Sequence, residues 1–169
     1  MSAPPVVRGP LRGQGAACEA VLRALPDWFG IEESIRQYAK DVDGLPAFVA
    51  VEADAAPQRA TRAAGPAQRV VGLLAVATHS AQAAEIHVMG VLQDRQRQGV
   101  GRALLAAAET WLREQEVAYL TVKTLSATHP DPGYAATRAF YASMGFVPLM
   151  ELPTLWGADN PCLVTLKTL

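Results

Sequence analysis

The sequence predicts an α/β domain over residues 1–169, built on a mixed, largely antiparallel central sheet flanked by helices, with one parallel crossover around a long helix. Three observations predict it. Short apolar runs of strand character alternate with helical periodicities in the order β-α-α-β-β-β-α-β-α-β-β. Residues 70–77 are almost continuously apolar, as a central strand buried on both faces would be. A strand at 85–92 leads through glycines into residues 99–114, and a further apolar run follows at 117–125, which together read as a strand–helix–strand crossover.

The elements follow in order. Val6-Val7-Arg8 is a short first strand. Residues 15–25 form a helix, with Ala17, Val21, Leu22 and Leu25 at helical spacing and Pro26 as its stop. Asp27-Trp28-Phe29-Gly30 is a turn carrying two exposed aromatics, and residues 32–40 form a second short helix in an acidic stretch. Residues 46–51 are a strand. Residues 53–68, with prolines, a glycine and no period, are a surface loop between hairpin strands. His79 to Gln82 is the turn between the strands at 70–77 and 85–92. In residues 99–114, Val100, Ala103, Leu104, Ala107, Ala108, Trp111 and Leu112 form a broad apolar stripe. His129-Pro130-Asp131-Pro132-Gly133 breaks regular structure. A helix at 134–144 ends at Gly145, and strands at 146–152 and 162–169 close the chain.

Composition excludes several classes. Half of the 169 residues are hydrophobic, 18% are charged and the formal net charge is -1, which is globular rather than disordered. No basic face is clustered as nucleic-acid binding requires. No apolar run approaches the ~18 residues that span a bilayer, and no secretory signal opens the chain. Two cysteines, Cys18 and Cys162, are too few for a disulfide framework, which fits a cytoplasmic protein. The three histidines and two cysteines lack ligand spacing, so no metal is expected.

The chemistry concentrates at Gln96-Arg97-Gln98-Gly99-Val100-Gly101-Arg102. A strand entering a helix through glycines leaves backbone N–H groups unpaired and pointing outward. The helix dipole adds partial positive charge at the same point, and the two together form an anion site. Gly99 and Gly101 let a phosphate approach the backbone, and Arg95, Arg97 and Arg102 add positive charge. A P-loop is excluded because Arg102-Ala103 follows Gly101 where Lys-Ser/Thr is needed. A dinucleotide turn is excluded because Leu104 stands where a third glycine is needed.

In these residues the sequence resembles the GNAT superfamily of N-acetyltransferases, whose motif Gln/Arg-x-x-Gly-x-Gly/Ala follows a strand at a helix start. The approach Val88-Met89-Gly90-Val91-Leu92-Gln93-Asp94-Arg95 and the continuation Arg102-Ala103-Leu104-Leu105 are similar too. So is Phe140-Tyr141 followed by Gly145-Phe146. The specific resemblance covers about residues 70–147. It implies two parallel strands that splay around acetyl-CoA. Met89 and Val91 would offer backbone groups to the pantetheine arm, and the amides from Gln96 to Arg102 would hold the pyrophosphate. Gly90 is expected at a bulge in the strand. The family's asparagine on the following helix is replaced by Tyr134.

An amine attacking a thioester must lose a proton, and the departing thiolate gains from a donor. Glu85 matches a general-base glutamate found in part of the family, with His87 as its companion or a relay through water. Tyr141 matches the tyrosine that serves as general acid. No nucleophile elbow is present, so direct transfer is expected. The resemblance puts the acceptor against the first helices and the late hairpin, here Trp28, Phe29, Glu32, Glu33 and Trp156. Aromatics beside carboxylates suit a small cationic amine, among them an aminoglycoside-like amino sugar of the kind acetylated in antibiotic resistance. A protein or peptide amine, or a non-catalytic acyl-CoA sensor, are the alternatives. Edge strands near the C-terminus leave homodimerisation open.

Overall fold

The computed structural model describes residues 5–53 and 68–169. The elements are β1 (Val6–Leu11), α1 (Gly15–Arg23), α2 (Glu32–Gly44), β2 (Ala47–Ala53), β3 (Gln68–Thr78), β4 (Ala83–Val91), α3 (Val100–Glu114), β5 (Tyr119–Leu125), α4 (Pro132–Ser143), β6 (Val147–Leu152) and β7 (Cys162–Thr168). A 3-10 turn, Gln93–Arg95, joins β4 to α3. One sheet holds the strands in the order β1-β2-β3-β4-β5-β7-β6. This is the element order and the mixed, mostly antiparallel sheet that the sequence predicts. Most of the loop expected at 53–68 lies outside the described residues, while its ends, Ala53 and Gln68, pair with each other in β2 and β3.

Two groups of residues are each compact. The first comprises the described part of Met1–Ala75 together with Val88–Ala108. Its core gathers Cys18 and Leu22 of α1, Ile35 and Val42 of α2, Ala47, Val49 and Val51 of β2, Leu73 and Ala75 of β3, and Val88 of β4. Burying each Leu, Ile or Val here contributes about 1.5–3 kcal/mol. Helix α1 begins against α2, where the Gly15 amide donates to Asp43 Oδ1 at 2.8 Å. A Cβ at Gly15 would lie 2.4 Å from the Ala39 carbonyl oxygen. Gly90 serves the same end on β4, since a Cβ there would lie 3.0 Å from Val21 Cγ1 and 3.1 Å from Leu25 Cδ1.

The second group comprises Val76–His87 and Glu109–Leu169. Strand β7 lies between β5 and β6, antiparallel to both. Glu109, buried on α3, receives Lys167 of β7 and Arg113. The paired cations are what make a buried carboxylate tolerable here. Helix α4 begins two residues earlier than its sequence predicts, at Pro132. Proline suits a first helical position because the N–H it lacks has no partner there, and Asp131 caps the turn by accepting from the Tyr134 amide at 3.0 Å. Pro132 and Gly133 are therefore helical rather than loop.

The ladder between β4 and β5 is the parallel one. It runs from Ala83 opposite Tyr119 to Ile86 opposite Val122, and both strands outrun it. On its other side β4 carries one extra residue. His79 N–H meets the Ala83 carbonyl at one end and Leu92 N–H meets the Val71 carbonyl at the other. That is eight steps along β3, from Val71 to His79, against nine along β4, from Ala83 to Leu92. A bulge in β4 accounts for the difference.

Gly15→Ala is expected to destabilise the fold by about 1–3 kcal/mol, because the added methyl meets backbone rather than a side chain that can rotate away. Urea unfolding checks this, and an unchanged midpoint would refute the close approach of α1 to α2.

Candidate active site

The turn between β4 and α3 is built by side chains that tie down its approach. Gln96 Nε2 donates to the Val91 carbonyl at 3.1 Å, and Gln98 Nε2 donates to the Asp94 carbonyl at 2.9 Å. Arg97 and Gly99 both lie in the left-handed region, at φ 59° and 83°. For a non-glycine residue such as Arg97 this conformation is uncommon and costs energy. Successive turns of this kind turn neighbouring N–H groups to one side and form a concavity for an anion. The helix proper starts at Val100, and Ala103 N–H is the amide that returns to the Gly99 carbonyl, at 2.9 Å. The amides before it therefore precede the intrahelical ladder. A Cβ on Gly99 would meet nothing within 4 Å, so the space over the turn is open. These features fit a pyrophosphate.

Of the three arginines expected there, Arg95 is engaged elsewhere. Its guanidinium bonds Glu52 at 2.9 and 2.8 Å and Asp94 at 3.0 Å. Arg97 and Arg102 remain exposed beside the turn. Met89 and Val91 are half-buried on β4, but the Val91 carbonyl already accepts from Gln96.

Glu85 stands on β4 with its side chain 12% exposed. Lys123 Nζ of β5 donates to its Oε2 at 2.6 Å, and His79 Nε2 lies 2.9 Å from the same oxygen. Burial alone would raise the Glu85 carboxyl. The hydrogen bonds from Lys123 and His79, and the Lys123 charge, outweigh burial and hold it below its ordinary 4.5. Glu85 is therefore a carboxylate throughout the neutral range. From the sequence His79 reads only as a turn residue. It keeps an exposed side chain, but its ring belongs to this cluster. Lys123 was not anticipated, although a lone charge in the run Tyr119–Leu125 is the signal that could have marked it. His87 is half-buried on the same strand.

Tyr141 is buried on α4 between Phe140 and Phe146, whose ring centroids lie 5.3 and 5.4 Å away in edge-on arrangements. Burial pushes its phenol well above the usual range, so it stays protonated at any physiological pH. Both cysteines are buried thiols. Burial, then Asp43 and Glu19, pushes Cys18 up to about 12. Burial also raises Cys162, with Lys123 opposing and Glu85 reinforcing it. Neither is a nucleophile at neutral pH.

The residues named for the acceptor are placed differently from one another. Trp28 and Phe29 are half-buried rather than exposed, and Phe29 packs edge-on to Tyr38 at 6.1 Å against the core of the first group. Glu32 is held by Arg23 at 2.7 Å and Arg36 at 2.9 Å, and the bonds from Arg23, then Arg36, lower its carboxyl to about 2. Glu33 is exposed at the start of α2. Trp156 is 41% exposed in the connection from β6 to β7. His129 is half-buried, and its Nδ1 has no hydrogen-bond partner among the described residues. Among the described residues no group of His, Cys, Asp and Glu could hold a metal ion, and no helix is long and apolar enough to cross a membrane.

Residues 47–148 match the family described as acetyltransferase (GNAT) domain. No curated protein matches the chain. Solved structures resemble it along nearly its whole length. A GNAT-family protein from Desulfovibrio desulfuricans superposes with a TM-score of 0.77 at 19% identity, covering 97% of this chain and 98% of that one. The ribosomal-protein-S18-alanine N-acetyltransferase from Escherichia coli gives 0.67 at 17% identity, covering 97% and 93%. An aminoglycoside 6'-N-acetyltransferase complexed with coenzyme A gives 0.65 at 17% identity, covering 96% of each chain. At these identities the likeness is one of fold.

Because the folded Glu85 carboxyl titrates below its unfolded value, its bonds stabilise the protein above about pH 4.5 and are lost as pH falls through the depressed folded value. The stability gap between wild type and Glu85→Gln, read from urea midpoints, should therefore be largest near pH 6 and shrink toward pH 3. A gap independent of pH would show that Glu85 is not held as described.

Proposed function

The chain belongs to the GNAT acetyltransferase family, and from that premise we propose that it is an N-acetyltransferase, a single domain that moves an acetyl group from acetyl-CoA to a primary amine by direct attack. The observation that carries this reading is the turn with Arg97 and Gly99 left-handed, opening onto the first turn of α3. It offers a pyrophosphate several backbone donors at once, with Arg97 and Arg102 beside them. Acetyl-CoA would supply an acyl group already activated as a thioester. Met89 and Val91 are the strand residues assigned to its pantetheine arm.

Glu85 is the proposed general base. A carboxylate with a lowered pKa is weakly basic, and it does not strip a free ammonium. It takes the proton as the amine bonds to carbon, when that nitrogen becomes a strong acid. Tyr141 is the proposed general acid, because a phenol kept protonated by burial can give its proton to the departing thiolate. His87 is placed as an alternative relay. Both buried thiols are too weakly acidic to form an acyl-enzyme, which supports direct transfer.

The acceptor we assign is a small amine, an amino sugar included, met by Trp28, Phe29 and Glu33, with Trp156 as a further aromatic contact. Glu32 contributes little to attracting a cation, because Arg23 and Arg36 already neutralise it. A peptide amine is the second reading, favoured by the fold similarity to an enzyme named for the alanine of a ribosomal protein. A cytoplasmic location follows from the use of acetyl-CoA.

Thiol release from acetyl-CoA should be measured against aminoglycosides, polyamines, amino acids and short peptides. Release with one class supports the reading and identifies the acceptor, while no release with any class despite measurable acetyl-CoA binding argues for a sensor. Tyr141→Phe should lower kcat about 10²-fold or more with cofactor affinity retained, and normal turnover would return Tyr141 to a packing role. Gly101 replaced by a bulky residue should abolish cofactor binding in a folded protein. Unchanged affinity would remove the pyrophosphate from this turn.

A further inference from the structure

The Glu85 cluster is asymmetric. Lys123 and His79 both bind Oε2, and Oε1 has no hydrogen-bond partner among the described residues. We propose that Lys123 is the positioning residue of the proposed base: with His79 it fixes Glu85 through one oxygen, leaving Oε1 as the atom that receives the proton from the acceptor amine. This rests on the reading of Glu85 as base.

The strand register makes the arrangement available. In the parallel ladder Glu85 lies opposite Thr121, and Lys123 is two residues further along β5, so its side chain rises on the side of Thr121. Nζ is compact and has three donors, one of which is bound to Glu85. The Lys123 side chain is 30% exposed and that of Glu85 12%, so their attraction is only partly screened by water. His79 brings a second donor from the β3–β4 turn. A further titratable group near the pair is the buried Cys162 thiol of β7, on which both Lys123 and Glu85 act. His87 is the neighbour on β4 itself.

Two consequences separate positioning from a merely structural salt bridge. Fixing one oxygen removes the free rotation of the carboxylate, so Oε1 is presented in one orientation. The same clamp keeps Glu85 ionised, so the acid limb of the rate profile that belongs to Glu85 sits below the ordinary carboxyl range. Removing Lys123 leaves burial as the dominant influence, and Glu85 should then titrate higher.

The test uses Lys123→Met, which keeps the length of the side chain and removes its charge, and Lys123→Arg, which restores a donor. Two readouts are taken on the full chain: the carboxyl-carbon NMR titration of Glu85 without substrates, and the pH profile of kcat/KM for acetyl-CoA with the best acceptor amine. Lys123→Met should raise the Glu85 titration by about one pH unit or more and shift the acid limb with it. It should lower kcat about tenfold with little change in the acceptor KM, and Lys123→Arg should recover part of each effect. An unmoved Glu85 titration in a folded Lys123→Met protein overturns the clamp. A titration that moves while the acid limb stays put overturns the positioning role, because Glu85 is then not the proton acceptor even if acetyl transfer is intact. Absence of acetyl transfer in wild type overturns the enzymatic reading, and the positioning role with it, while the NMR titration still decides whether Lys123 holds Glu85.

Discussion

The parallel pairing of β4 with β5 is the constraint on which the rest of the structure depends. Parallel neighbours cannot be joined by a tight turn, so the chain must leave β4, cross over and return. Helix α3 makes that crossing, and its start is fixed close after the end of β4. A helix start leaves amides without intrahelical partners. Here the preceding residues are turned left-handed at Arg97 and Gly99 instead of capping those amides with a serine or aspartate. The donors that a conventional cap would satisfy are the ones the proposed function gives to a ligand. The proposed anion site would thus be a by-product of the topology, exposed by the choice of glycine and a strained arginine where most helices place a cap.

The same pairing fixes the proposed base. Because the ladder places Glu85 opposite Thr121, the one lysine of β5 comes within bonding distance of a carboxylate on β4. Nearly all the charge in this part of the sheet is therefore compensated locally. Glu85 is matched by Lys123, and Glu109 by Lys167 and Arg113. Of Glu85's two oxygens, Oε2 takes both the Lys123 and the His79 bonds.

Most of the architecture was legible in the sequence because it rests on period and punctuation. The alternation in β4, the stripe of α3 and the glycine turn each specify their element locally. What escaped depends on contacts between segments far apart in the chain. Lys123 is 38 residues from Glu85, and no local pattern joins them. Burial alternates without interruption along β4, so the spacing of two does place His87 on the same face as Glu85. The acidic start of α2 looked like a cation site because carboxylates were counted without their partners. Arg23, nine residues before Glu32, reaches it only because α1 and α2 fold back on each other. Pro132 and Gly133 were read as breakers because those residues usually are, yet a first helical turn is the one place where proline's missing N–H has no consequence.

Local compensation also bears on how an amine is recognised. A site with net negative charge would draw a cation in from a distance, over roughly the Debye length. At Glu85 the carboxylate is paired with an ammonium, so the pair has no net charge and little long-range pull. At Glu32 the carboxylate is balanced too, since Arg23 and Arg36 face Glu32 together with Glu19, which shares Arg23. If Glu85 is the base proposed above, selection for an amine there would act at contact, through a single directed oxygen rather than through a field. Such a site would favour the neutral amine over its ammonium form, because an arriving cation would also meet Lys123. That preference matches the chemistry, in which only the neutral nitrogen has a lone pair to offer.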